Sequence, residues 1–96
     1  MAIRTIGIVG CGAIGRALLK AVEAGKLAVS VAGVTSRTEK SARAFLSTLR
    51  EPPPYLDRKQ LIAASDLIIE AAGSAVVPAL AEEVFAAGKD LMVVSV

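Results

Sequence analysis

Short apolar runs alternate along this chain with longer segments whose apolar residues recur every three or four positions. Thr5 to Val9 reads as a first strand. Ala13 to Ala24 follows as a helix. Ile14, Ala17, Leu18, Ala21 and Val22 fall at i, i+3, i+4, i+7 and i+8, one stripe to lay on a sheet. Gly25 is a left-handed stop after it. Leu27 to Val34 is rich in β-formers and reads as strand 2. Thr38 is placed to cap a second helix, with Ala42, Phe45, Leu46 and Leu49 as its buried side. Glu51-Pro52-Pro53-Pro54 forbids further helix, because three prolines remove donors and fix φ. Tyr55 and Leu56 suit a short edge strand. Asp57 and Gln60 have capping-box spacing and start a short helix that ends near Ala64.

Asp66 to Ala71 contains Leu67-Ile68-Ile69, a run suited to a strand covered on both faces. Gly73-Ser74 punctuates it. A helix over 75–87 follows, with Pro78 tolerated in its first turn. Val77, Leu80, Ala81, Val84 and Phe85 form its apolar stripe, and Gly88 ends it. Leu91 to Val94 is the last strand. It is expected to lie parallel to the Asp66–Ala71 strand with a free outer edge, which would promote self-association.

The junction of strand 1 and the first helix is Gly10-Cys11-Gly12-Ala13-Ile14-Gly15. GxGxxG between a strand and a helix is a phosphate cradle. The first glycine permits the tight turn, the second leaves room for a pyrophosphate, and the third lets helix and strand close together. Open N–H groups at the helix start then face the phosphates. With strands and helices alternating, the expected fold is α/β. It is a Rossmann-type doubly wound parallel sheet over residues 1–96, strand order 3-2-1-4-5, strand 3 short or missing, truncated after the fifth strand. Ligand should lie across the carboxyl ends of strands 1 and 4, where the order reverses.

Composition narrows the chemistry. The 96 residues are 54% hydrophobic and only 3% aromatic, so the core must be aliphatic. A net charge of +2 with scattered basic residues carries no nucleic-acid or membrane-surface signature. No apolar run approaches the ~20 residues of a membrane span. One cysteine and no targeting segment imply a cytoplasmic setting. Histidine is absent, which removes the commonest general acid–base group, and no cluster suits a metal.

Gly10, Cys11, Gly12, Ala13, Ile14 and Gly15 are therefore the expected pyrophosphate site. Cys11 invites a nucleophile reading, but no nearby residue could serve as its base, and a small packing residue is the expectation. About 20 residues past the last glycine, NAD readers place an acid for the ribose 2′-OH. Here the strand ends Val34-Thr35-Ser36-Arg37. Ser36 and Arg37 suit a 2′-phosphate, so the cofactor is NAD or NADP; the alternative makes Arg37 a loop residue paired with Glu39. Ala71, Ala72 and Gly73 would let the nicotinamide ribose approach the backbone. Ser74 reads equally as the cap of the following helix. Glu70 could line the site, although a solvated strand end is the simpler expectation.

Taken together, Gly-Cys-Gly-Ala-Ile-Gly at 10–15, Glu70-Ala71-Ala72-Gly73 and Ala87-Gly88-Lys89-Asp90-Leu91-Met92-Val93-Val94-Ser95-Val96 resemble the N-terminal domain of the L-aspartate dehydrogenase family. The homoserine dehydrogenase nucleotide-binding domain is a more distant likeness. The resemblance covers the whole chain, and its last segment is the most specific. It implies NAD(P)-dependent oxidative deamination of L-aspartate, with iminoaspartate available to NAD biosynthesis. It also implies a second domain, absent from these residues, that supplies the amino-acid site, a catalytic histidine and a homo-oligomer interface. No catalytic residue can then be assigned here, and the chain alone should be inactive. Another amino-acid or semialdehyde dehydrogenase, or a non-catalytic nucleotide-binding or redox-sensing module, are the alternatives.

Overall fold

The computed structural model describes residues 4–95. Four strands, β1 (Thr5–Val9), β2 (Ser30–Thr35), β3 (Leu67–Glu70) and β4 (Asp90–Val93), form one parallel sheet in the order β2-β1-β3-β4. The expected third strand is reduced to one parallel bridge, Tyr55 to Val34, on the far side of β2. The proline run explains this: Val34 N donates to Pro54 O and Leu56 N to Val34 O, but prolines bring no N–H to extend the ladder. Counting that bridge, the spatial order is the expected 3-2-1-4-5. Strand 2 is shorter than the apolar run suggested, beginning at Ser30 and leaving Leu27 exposed.

The helices are α1 (Ala13–Glu23), α2 (Glu39–Leu46), α3 (Arg58–Ala64) and α4 (Val77–Ala86), the last preceded by a 3-10 turn, Ser74–Val76. Alternate strand residues divide the core in two. Ile6, Ile8 and Ile69 pack with Leu19 of α1 and Ala42 and Leu46 of α2. Val9 and Ile68 pack with Leu61 and Ile62 of α3 and Leu80 and Val84 of α4. Helices thus cover both faces, as a parallel sheet requires. Removing one of the central isoleucines to Ala would cost about 2–5 kcal/mol.

Three local expectations change. In α1 the stripe is rotated by one residue: Gly15 and Leu19 are buried, whereas Ile14 is 45% exposed. Gly15 causes the shift, because having no side chain makes it the natural contact point with the β1 turn. In α4, Leu80 and Val84 face the core, whereas Phe85 is 62% exposed. Neither Thr38 nor Ser74 caps a helix through its side chain. Ser36 Oγ instead accepts from Thr38 N at 3.3 Å, and Ser74 lies inside the 3-10 turn. The capping box at α3 forms as expected, with Gln60 N to Asp57 Oδ1 at 2.8 Å and Asp57 N to Gln60 Oε1 at 3.2 Å. Pro78 sits in the first turn of α4. At the other side, β4 ends the sheet among the described residues, with Met92 and Val93 exposed.

Candidate dinucleotide site

The carboxyl ends of β1, β2 and β3 open onto one cleft of about 350 Å³. Gly10, Cys11 and Gly12 line it from the first turn, Ser36 and Arg37 from the second, and Ala71 and Ala72 from the third. These three turns, far apart in sequence, are thus brought together. Ala13, Ile14, Gly15 and Gly73 do not line the cleft. Ala13 and Ile14 are exposed on the first turn of α1, and Gly15 is buried beneath it.

The glycines divide by role. Gly10 has φ +106°, and a Cβ there would stand 2.7 Å from the backbone of Ala71 and Ala72. At Gly15 a Cβ would strike Gly10 O. Both are demanded by the fold itself. Gly12 is different. Its φ is −89°, open to any residue, and a Cβ would meet nothing within 4 Å. The fold has no use for a glycine there, but a group lying against the turn would. Gly12 is also the N-cap of α1 and brings no side chain to its first amides. Those amides have no intrahelical acceptor, and the helix dipole points its positive end at the cleft.

The turn after β3 is built in another way. Glu70 is fully buried. Its Oε2 accepts from Ala72 N at 2.8 Å and Gly73 N at 2.7 Å, and its Oε1 accepts from Ser95 Oγ at 2.5 Å. A solvated strand end was the expectation; the carboxylate is instead an internal anion that holds the turn and ties it to the end of β4. Burial pushes this carboxyl up, but the hydrogen bonds from Ser95, Gly73 and Ala72 together outweigh it and hold it below the usual carboxylate range.

Tyr55 organises the middle turn. Its Oη donates to Ser36 O at 2.5 Å and accepts from Ser36 N at 3.1 Å. Arg37 is exposed and does not pair with Glu39, whose carboxylate is taken by Arg43 at 2.6 Å. Cys11 is buried, and burial pushes its thiol up, more than the nearby Arg16 guanidinium lowers it. A poorly ionised thiol with no base beside it is a packing residue.

Sequence reasoning missed Arg16, Thr38, Ser41 and Val76, which also line the cleft. Arg16 had a signal: it stands one helical turn after Gly12, so its side chain rises on the same side. Ser41 and Val76 had none, because their positions depend on how α2 and the 3-10 turn dock. A larger cavity of about 640 Å³ lies at the opposite end of the sheet, between the end of α1 and Pro52–Pro54. Three of its lining residues are prolines, which bring no N–H, two others are the carboxylates Glu23 and Glu51, and Glu23 already accepts from Arg50 N at 2.6 Å. The cleft with free donors is the better candidate for an anionic ligand. No group of three or more potential metal ligands occurs among the described residues.

Fold and turn geometry together define a dinucleotide-binding domain of the doubly wound class. The chain belongs to the family described as homoserine dehydrogenase, NAD binding domain, which matches residues 10–96. It is similar to L-aspartate dehydrogenase of Methanocella arvoryzae, 31% identical over 91 residues, and to that of Bradyrhizobium diazoefficiens, 35% identical over 91 residues. Each alignment covers 95% of this chain, but only 34% and 32% of those relatives. The chain thus spans about a third of their length. Among solved structures, the UDP-N-acetylglucosamine 3-dehydrogenase of Acidithiobacillus ferrooxidans superposes with a TM-score of 0.79 at 22% identity, over 97% of this chain and 30% of that one. The scyllo-inositol dehydrogenase of Lactobacillus casei, with NAD(H) and scyllo-inositol bound, gives 0.77 at 19%, over 96% and 28%. These likenesses establish the fold.

Proposed function

We propose that residues 1–96 are the cofactor domain of an NAD(P)-dependent oxidoreductase that oxidises L-aspartate. The observation that carries the cofactor reading is Gly12: a glycine that the fold does not need, at a helix start whose amides have no acceptor. Gly10 through Gly15 would form the pyrophosphate cradle, with Gly10, Cys11 and Gly12 facing the ligand. Ser36 and Arg37 would take the adenosine ribose side, and Ala71, Ala72 and Gly73 the nicotinamide side. The similarity to L-aspartate dehydrogenases over nearly the whole chain supports the substrate class.

Bound nicotinamide dinucleotide supplies a hydride acceptor. The proposed reaction would take a hydride from Cα and a proton from the amino nitrogen of L-aspartate, leaving iminoaspartate, which water converts to oxaloacetate and ammonia. The residues of this chain bind and orient. They include no histidine, and the one buried carboxylate among the described residues, Glu70, is committed to its own turn. Substrate binding and proton transfer are therefore assigned to residues outside 1–96, in a second domain that would also carry the homo-oligomer contact. Among the described residues, no helix is long and apolar enough to cross a membrane.

The test is a fluorescence titration of the 96-residue chain with NADH and NADPH, paired with an assay for reduction of NAD⁺ or NADP⁺ by L-aspartate. Saturable binding without turnover is expected. Absence of binding would remove the cofactor reading; aspartate-dependent reduction by this chain alone would remove the division of labour.

A further inference from the structure

The chain has six arginines. Four are paired with carboxylates: Arg4 with Asp90, Arg43 with Glu39, Arg50 with Glu23 and Arg58 with Glu83. Arg16 and Arg37 pair with no carboxylate among the described residues, and these two line the cleft. No Asp or Glu lines it with them, but Ser36, Thr38 and Ser41 do. One rim of the cleft therefore gathers two uncompensated guanidinium groups and three hydroxyls. Without an acid, nothing there repels a phosphate or accepts from a ribose 2′-OH.

Arg16 is also held in place before any ligand arrives. Its Nε donates to Cys11 O at 3.0 Å and its Nη2 to Ser41 Oγ at 3.3 Å. The guanidinium carbon lies 5.0 Å from the centre of the Phe45 ring. Stacking on an aromatic face and one backbone bond fix a planar fork at little further entropic cost, a task for which lysine is poorly shaped. The bond to Ser41 ties α1 to α2 across the mouth of the cleft.

Resting on the dinucleotide reading, we propose that Arg16, oriented by Ser41 and Phe45, is a second specificity-determining residue beside Arg37. The two arginines together take the 2′-phosphate of NADP, so this chain prefers NADP(H) to NAD(H). A 2′-phosphomonoester near pH 7 carries close to two negative charges, which two guanidinium groups match.

The experiment measures dissociation constants of the chain for NADPH and NADH, and for 2′,5′-ADP and ADP, which share the adenosine end only. The wild type should favour the 2′-phosphorylated member of each pair by at least about tenfold. Arg16→Gln and Arg37→Ala should each lower both ratios by about tenfold, the double variant further, and Arg16→Lys by less than Arg16→Gln. Ser41→Ala, which leaves the Phe45 stacking intact, should lower them by about threefold. Circular dichroism and thermal unfolding establish that each variant is folded. A wild-type ratio near or below one would overturn the proposal while leaving dinucleotide binding in place. So would equal losses of NADPH and NADH in folded Arg16→Gln, which would assign Arg16 to the pyrophosphate or the general field. Failure of all four nucleotides to bind the wild type would instead remove the dinucleotide reading itself.

Discussion

Two strand-to-helix turns face the same cleft, one after β1 and one after β3, and they treat their backbone amides in opposite ways. After β1, Gly12 leaves the amides of the α1 start without a side-chain acceptor. After β3, the amides of Ala72 and Gly73 are already taken by Glu70. The first turn is held by close backbone contacts at Gly10 and Gly15, and the second by a buried carboxylate. An exogenous anion therefore finds open donors at only one of the two. The charge that shapes the second turn also repels a phosphate from it. A similar fold position thus yields open donors in one place and a structural lock in the other.

The largest effect is expected at the lock. Glu70→Ala removes the acceptor of three donors in a buried site, and should cost about 4 kcal/mol, read by chemical denaturation. On a domain of ordinary stability that is a large share. Glu70→Gln should cost less, and it exposes the sign of the pH dependence. The carboxyl is held below its usual range, so it binds its proton more weakly folded than unfolded. Its stabilisation is complete above the ordinary carboxylate range, and is lost as pH falls through the folded value. The stability gap between wild type and Glu70→Gln should therefore narrow on acidification; a gap constant with pH would show that the carboxylate charge plays no part.

Next comes the cradle's own packing. Gly15→Ala places a methyl against Gly10 O and should destabilise by about 3 kcal/mol, with nucleotide binding lost alongside. Gly12→Val sharpens the contrast, because there a side chain meets no protein atom. Its stability should fall by no more than about 1 kcal/mol, the cost of valine at an N-cap, while dinucleotide affinity falls about a hundredfold. Wild-type affinity in the folded variant would move the ligand away from this turn. The smallest effect is expected at Ser95→Ala, which removes one bond to Glu70 and should cost about 1–2 kcal/mol without changing affinity more than about twofold.

The same contrast explains what could be read from the chain. The turn after β1 is written in adjacent residues: three glycines at fixed spacing between a strand and a helix. Alternation of apolar runs likewise predicted the parallel order, and the Asp57–Gln60 box predicted the start of α3. Glu70 was misjudged because its partners lie two, three and 25 residues away, and nothing local distinguishes a buried acid from a solvated one. The α1 stripe slipped by one residue because a glycine, silent in a hydrophobic pattern, is the closest contact of that helix. Arg16 and Ser41 meet only through the docking of α1 on α2, so their pairing belongs to tertiary structure. Arg37 was visible by position, but its lack of a carboxylate partner depended on Arg43 claiming Glu39.

The most direct test of the account is an amide-resolved NMR titration of the chain with NADPH. Exchange-broadened or strongly shifted amides at Gly12, Ala13 and Ile14, with those of Ala72 and Gly73 retaining their hydrogen-bonded positions, is the predicted result. Large loss of the Ala72 and Gly73 hydrogen bonds to Glu70 with an unperturbed Gly12 turn would contradict it, and would place the anion at the turn that the structure shows already filled.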